Sequence, residues 1–380
     1  MKILHFSDTH LGRKRYNISG SQKDYIRTFE EVINLVYDLN PDIVLHSGDV
    51  FDMRRPDNIT LSIVYKKFVE LSKNFKILIV PGNHDFYTSI GISSLEPLNY
   101  FSENIKVFEY KHIFKEDGFN IDNVKFSYNG INFYCIPHFS DRRLLRELVF
   151  RINDSLNTNE INFIALHQIV DEEVSRRKKI NTVDIPIEDL ISFDYIFLGH
   201  FHTPIKKKKY AYVGSTEAVS YDEYEYDENG FIKENSKKRV ILYEVLDKNE
   251  LREYEYKLET PREFIRLEFI DFSIEQLKNT LKNYEDEEKI ITLILKNIPS
   301  DAIVEIKSFI SSFKFYHINT IISIKDEIKK FSISTEDNYK SAILGKYYDD
   351  IIKIISEVDD IENEREQEEK IKSYLLELYK

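Results

Sequence analysis

The sequence has a single cysteine, Cys135, in 380 residues. That excludes an internal disulfide and any metal site built on several thiolates. Long apolar runs are also missing. The opening Met1-Lys2-Ile3-Leu4-His5 leads straight into a short strand-like segment, with no apolar stretch of signal-peptide or membrane-spanning length. The expected location is therefore cytoplasmic. Net positive charge is lacking too: 53 Lys and Arg against 66 Asp and Glu leave −13. Such a chain does not coat nucleic acid through its overall charge, but local basic strips are still open to it. What is present is ordinary for a globular protein, with 42% hydrophobic and 31% charged residues. The chain is too apolar for disorder and long enough for two or three domains.

Short apolar runs alternate with helix-period segments over roughly the first two hundred residues. Residues 3–6, 43–45, 77–80, 161–166 and 196–198 read as buried strands. Between the first three lie amphipathic stretches such as Phe29, Val32, Ile33, Val36 and Tyr37. The alternation predicts a layered α/β domain with helices packed on a central sheet. Residues 128–136 add a strand at a hairpin turn, Asn129-Gly130.

From about residue 238 the pattern changes to a small α+β unit, residues 238–330, with strands over 239–245, 251–258, 264–270, 290–295 and 318–324. Helices are expected over 273–284 and 302–313. Residues 331–340 read as a linker, and residues 341–380 as a helix pair. Leu344, Tyr347, Tyr348, Ile351, Ile352 and Ile355 line one helix; Ile371, Tyr374, Leu375, Leu378 and Tyr379 line the other. Such stripes either dock back on their own chain or enter a partner's groove.

Each strand of the first region is followed by polar residues of one chemical kind. These are Asp8-Thr9-His10, Gly48-Asp49, Gly82-Asn83-His84-Asp85, His167, and Gly199-His200-Phe201-His202. Sites in open α/β sheets form beyond the carboxyl ends of strands, so these groups should converge. Asp8 and His10, like His200 and His202, are two apart and share a side of an extended chain. Five of the ten histidines fall here. A lone buried histidine is ordinarily a satisfied core residue, the expectation for His5 and His46, while His112, His138 and His317 have no supporting pattern. Five strand-end histidines with carboxylates and an amide are another matter, since burying them unpaired would cost several kcal/mol each, on the order of 2–7. Carboxylate, imidazole and amide without thiolate suit Mn²⁺, Fe²⁺ or Zn²⁺. The donors exceed what one ion needs, which points to a pair about 3.5–4 Å apart and to phosphoester hydrolysis.

As an ordered set these motifs resemble the calcineurin-like metallophosphoesterases. Phe6 through Gly12 with Tyr16-Asn17, His46 through Phe51 with Arg55-Pro56, and Tyr212-Val213-Gly214-Ser215-Thr216-Glu217 are similar to one branch. That branch is the double-strand-break repair nucleases of the SbcD type and their meiotic-recombination relatives. The motifs cover roughly residues 1–220. The resemblance implies a metallophosphoesterase β-sandwich flanked by helices over residues 1–237, then a capping, DNA-binding domain and a helical ATPase-docking segment. It implies two Mn²⁺ per subunit. One would be held by Asp8, His10, Asp49 and His202, the other by Asp49, Asn83, His167 and His200. His84 would be catalytic, assisting the leaving oxygen, with Asp85 orienting it. Asp52 stands where several relatives carry a second histidine involved in DNA processing. The implied partners are DNA ends, a coiled-coil ABC-type ATPase of the SbcC kind and a second copy of the chain, at the nucleoid.

Arg13-Lys14-Arg15 and Arg54-Arg55 follow ligand loops and are expected to rim the site, where they would neutralise phosphates. Residues 206–209, all lysine, are a further basic run. Solvated surface charge is the ordinary alternative for each. A small-molecule phosphodiesterase or nucleotide phosphatase would keep the same chemistry, and an inactive scaffold would keep only the fold.

Overall fold

The alternating apolar runs build two central sheets rather than one. The structure is a computed structural model and describes residues 1–334, apart from 19, 88–90, 117, 178–182, 249, 271, 285–287, 299–301, 312–316 and 325–326. It divides into a unit of Met1–Arg266 and a second beginning at Leu267.

In the first unit one six-stranded sheet runs Leu251–Lys257, Arg239–Val245, Lys2–Phe6, Ile43–His46, Lys76–Ile79, Ile105–Val107. The other runs Ile205–Lys206, Tyr210–Tyr212, Tyr195–Leu198, Ile161–Leu166, Ile131–Ile136, Lys125–Tyr128. Strand alternation gives each sheet two buried faces. Ile3, Leu45, Leu78, Phe133, Phe163 and Phe197 face the core between the sheets. Leu4, Val44 and Ile77 turn outward, under the helices Gln22–Leu39 and Asn58–Leu71. On the far side Tyr134, Ile164 and Leu198 pack under Arg142–Ser155. The result is the helix-flanked sandwich.

The helices start and stop where local chemistry dictates. Asp57 caps one by accepting from the Ile59 and Thr60 amides at 2.9 Å each, and Asp141 caps another. Gln22–Leu39 ends on Asn40 in the left-handed region, φ 45°. Its buried face is Tyr25, Phe29, Val32, Ile33 and Val36, at helical spacing; Tyr37 falls off that stripe and is 43% exposed. The Asn129-Gly130 turn has positive φ at both residues, 49° and 78°, and joins Lys125–Tyr128 to Ile131–Ile136 antiparallel.

The expected boundary after residue 237 is corrected. Arg239–Val245 lies antiparallel to Lys2–Phe6 and Leu251–Lys257 pairs with it in turn, so both belong to the first sheet. Their apolar inward side chains, such as Ile241 and Tyr243, complete the core between the sheets. Beyond them comes a four-stranded sheet, Phe264–Ile270, Ile290–Ile298, His317–Ile324, Glu327–Ser334, whose first strand begins three residues before the second unit, and the helices Ile274–Lys282 and Ala302–Ser311. Leu277, Leu281, Ile306 and Ile310 are its buried helical residues. The last strand pairs Phe331 with Thr320 and Ser334 with His317, which moves the expected start of the linker past Ser334. The helix pair over 341–380 and its stripes lie outside the described residues. No described helix is long and apolar enough to cross a membrane.

Candidate metal centre

Lys2–Phe6, Ile43–His46 and Lys76–Ile79 are parallel, as are Ile131–Ile136, Ile161–Leu166 and Tyr195–Leu198. Their carboxyl ends therefore deliver side chains to one edge of the sandwich. The chain leaves these strands by sharp turns, not in extended form. Asp8, His10, Asp49 and His200 all have positive φ, between 43° and 78°. The pairs two residues apart thus converge through left-handed turns rather than by strand alternation, a strained geometry characteristic of functional sites. Two glycines make room. A Cβ on Gly48 would lie 2.0 Å from the His167 ring, and one on Gly82 would lie 2.1 Å from Asp49 Oδ1.

The donors fall into overlapping groups whose ligand atoms lie within 4.8 Å of one another. Asp8, His10 and His202 form one, Asp49, His167 and His200 another, and His10, Asp49 and His84 a third. His10 Nε2 faces His202 Nε2 at 3.0 Å, and His202 Nε2 lies 3.6 Å from Asp8 Oδ1. His167 Nε2 lies 3.1 Å from Asp49 Oδ2, while His10 Nε2 is 3.8 Å from the same oxygen. Asp49 thus faces both sets. Against the cost of its own burial, the His167 pairing holds Asp49 well below the usual carboxylate range. Burial would lower His167, yet the Asp49 carboxylate pushes it up to about 9. A carboxylate and imidazole so placed share a proton unless a cation takes its place. Asn83 Oδ1 is buried with no hydrogen-bond partner, an acceptor in need of a cation. The donor set fits two divalent ions.

Around these donors sits a shell of fixed partners. His167 Nδ1 bonds the Ser47 carbonyl at 2.8 Å, and His202 Nδ1 bonds Glu223 Oε1 at 2.9 Å. His84 donates its amide N–H to Asp49 Oδ1 at 2.9 Å, and its Nδ1 lies 2.6 Å from the Asp52 carbonyl oxygen. The ring is thereby oriented with Nε2 left for chemistry. The expected role of Asp85 is corrected. Its carboxylate accepts from the amides of Val50 (3.2 Å), Phe51 (2.9 Å) and Gly82 (2.8 Å), so it staples two ligand loops together and does not reach the His84 ring. Burial and the Asp49 charge push it up to about 7, against the Phe51 and Gly82 amides. The Asp52 carboxylate lies 3.4 Å from His10 Nδ1 and pairs with Arg13 at 2.6 Å.

His5 and His46 are fully buried core residues, bonded to Ser47 Oγ (2.7 Å) and Thr9 Oγ1 (3.1 Å), and burial pushes both down to about 3. His138 is the residue sequence reasoning missed. Its ring lies 5.7 Å from that of His200 and its Nδ1 bonds the His167 carbonyl at 3.0 Å. The signal was available: His138 stands two residues past Ile131–Ile136, just as His167 and His200 follow their strands. Among the basic residues, Lys14, Arg54 and Arg55 are exposed at the ligand loops. Arg15 is not; it is 1% exposed, 2.7 Å from Glu217 and 3.5 Å from Asp24. A guanidinium matched by buried carboxylates is unavailable to a phosphate, so Arg15 leaves the DNA-contact set. Lys206 and Lys207 are likewise matched, to Glu253 and Glu173.

Residues 1–204 match the calcineurin-like phosphoesterase family, more than half of the chain. A DNA double-strand break repair protein Mre11 of Methanocaldococcus jannaschii is 28% identical over 233 residues, 59% of each chain. The Mre11 of Sulfolobus acidocaldarius is 24% identical over 98% of each. The chain thus covers about three fifths of the first of these relatives and nearly all of the second. Likeness to solved structures is weak: a dimetal phosphatase from Danio rerio aligns over 68% of this chain and 99% of its own, at 11% identity and TM-score 0.41. With the strand-end donors, the shared Asp49 and the sandwich that carries them in place, the chain belongs to the calcineurin-like phosphoesterase family, and its curated relatives lie in the double-strand-break repair branch.

Proposed function

We propose that this chain is the Mn²⁺-dependent nuclease subunit of a complex that processes DNA double-strand break ends. Its activities would be a 3′–5′ exonuclease and a single-strand endonuclease, and its partner an SMC-like ABC ATPase. The observation that carries the reading is Asp49 lying between two donor sets, with the His84 ring tied beside it. The names of relatives aligned along the chain support the DNA substrate.

Asp8, His10, Asp49 and His202 would hold one Mn²⁺, and Asp49, Asn83, His167 and His200 the other. When bound, such a pair offsets phosphate charge and makes a water nucleophilic near neutral pH. His84 Nε2 is then the atom that passes a proton to the leaving oxygen, its ring held by the Asp52 carbonyl. Lys14, Arg54 and Arg55, with Arg13 behind them on Asp52, would neutralise phosphates of the strand at the rim.

A second copy of the chain would cover an exposed apolar patch. Tyr100 is 78% and Phe101 58% exposed, and Phe101 lies 5.9 Å from the Tyr65 ring. The ATPase would take the stripes of residues 341–380, and Tyr374, Leu375 and Leu378 each changed to Glu should abolish that complex. The deciding experiment compares linear duplex DNA with a chromogenic phosphodiester, each with Mn²⁺. Duplex degradation is expected; hydrolysis of the small ester alone would make the chain a small-molecule phosphodiesterase.

A further inference from the structure

Glu223 and Lys238 carry no motif, yet both are buried beside the donor sets, at 7% and 1% exposure. We infer that Glu223, clamped by Lys238, is the positioning residue for His202, accepting a hydrogen bond from Nδ1–H so that Nε2 faces the first cation position. This rests on the two-ion reading above.

The geometry leaves the His202 ring one orientation. Nε2 is the nitrogen facing Asp8 and His10, and Nδ1 lies 2.9 Å from Glu223 Oε1. An ionised carboxylate only accepts, so Nδ1 carries a proton and Nε2 is the nitrogen turned to the cation position. The same Oε1 accepts from the amides of Val219 (3.1 Å) and Ser220 (3.3 Å). Oε2 accepts from Lys238 Nζ at 2.7 Å and from Ser215 Oγ at 3.0 Å. Lys238 spends its remaining donors on Ser215 Oγ (2.8 Å) and on the carbonyl of His202 itself (3.0 Å). Ring and backbone of the ligand are therefore held by one charged pair with every donor satisfied.

The second set is built differently. The Nδ1 of His167 meets only a neutral carbonyl, Ser47 O, at 2.8 Å. An anionic partner raises the basicity of a ligating imidazole, and loss of such a partner costs about 10–100-fold in metal affinity. Removing the Glu223 charge should therefore weaken one ion position and spare the other.

The test is calorimetric titration of the metal-stripped, full-length protein with Mn²⁺. The wild type should bind two ions per chain. Glu223→Gln should weaken one by about 10–100-fold and leave the other within about twofold. His202→Ala should weaken the same position, and adding Glu223→Gln to it should change nothing further. Equal affinities in wild type and Glu223→Gln overturn the inference, as does an additive loss in the double variant. A wild type that takes up fewer than two ions overturns the two-ion reading itself. Because Glu223→Gln leaves Lys238 a buried, unmatched charge, a second measurement needs no such variant. In ¹⁵N-histidine-labelled wild type without metal, the ring signal that disappears in His202→Asn should show its proton on Nδ1. An Nδ1 that carries no proton overturns the inference.

Discussion

The two sheets of the first unit bring different chemistry to their common edge. Every acidic donor comes from the first sheet, as Asp8 and Asp49, and so does the amide of Asn83. The second sheet contributes imidazole alone: His167, His200 and His202, with His138 behind them. Carboxylates on one wall only have a simple consequence. Each of the two proposed ion positions draws on both sheets, through His202 for one and through His167 and His200 for the other, so the centre is complete only when the sandwich has closed. Metal binding and closure of the core are thereby linked.

The division can be broken at its most acidic point. Asp49→Asn removes the carboxylate facing both sets and should lower cleavage by more than about 10⁴-fold, with both ions lost on metal analysis. His84→Ala sharpens it from the other side. That ring stands on the acidic wall but serves proton transfer, so cleavage should fall by about 10²–10⁴-fold while bound metal stays at the wild-type level. Asp85→Asn should act on stability, not on the chemistry. Replacing an acceptor of three amides by one oxygen and an N–H should cost roughly 2–4 kcal/mol in denaturant unfolding.

The smallest effect concerns a carboxyl beyond the last strand of the first sheet, outside the donor groups. Glu109 accepts from Ser93 N at 2.8 Å and Ser93 Oγ at 2.5 Å, and burial pushes it up to about 7 from 4.5. A carboxyl raised on folding binds its proton more tightly in the folded chain. The stability it lends is full below about pH 4.5 and is lost as pH rises through 7. Glu109→Gln should erase that decline, gaining about 2–3 kcal/mol over wild type at pH 8 and little at pH 4.5. An unchanged pH profile would show that acids of this wall need no counter-ion to stay charged.

Much of this centre was legible in the sequence because the donors are local. Each stands within five residues of a strand end, and apolar runs of four to six residues announce those ends. Arg239–Val245 read correctly as a strand but was assigned to the wrong domain, because pairing partners two hundred residues apart leave no local mark. The partners of the donors were hidden for the same reason. Glu223 meets His202 through a loop, Asp85 meets Val50 and Phe51 from another strand, and Arg15 disappears into carboxylates at 24 and 217. A basic triplet beside a ligand loop reads as a rim whether or not its third member turns inward.

The pairing of Lys2–Phe6 with Arg239–Val245 also sets an order of events in making the protein. During synthesis Lys2–Phe6 meets one neighbour, Ile43–His46, early and the other only after about two hundred more residues. Until then it presents an unpaired apolar edge, the kind of surface that recruits other chains. A fragment ending at residue 237 would keep every donor and still lack the strand that closes this edge. Such a piece should aggregate, whereas one ending near residue 266 should fold, and the long sequence separation of the contact predicts slow folding even then.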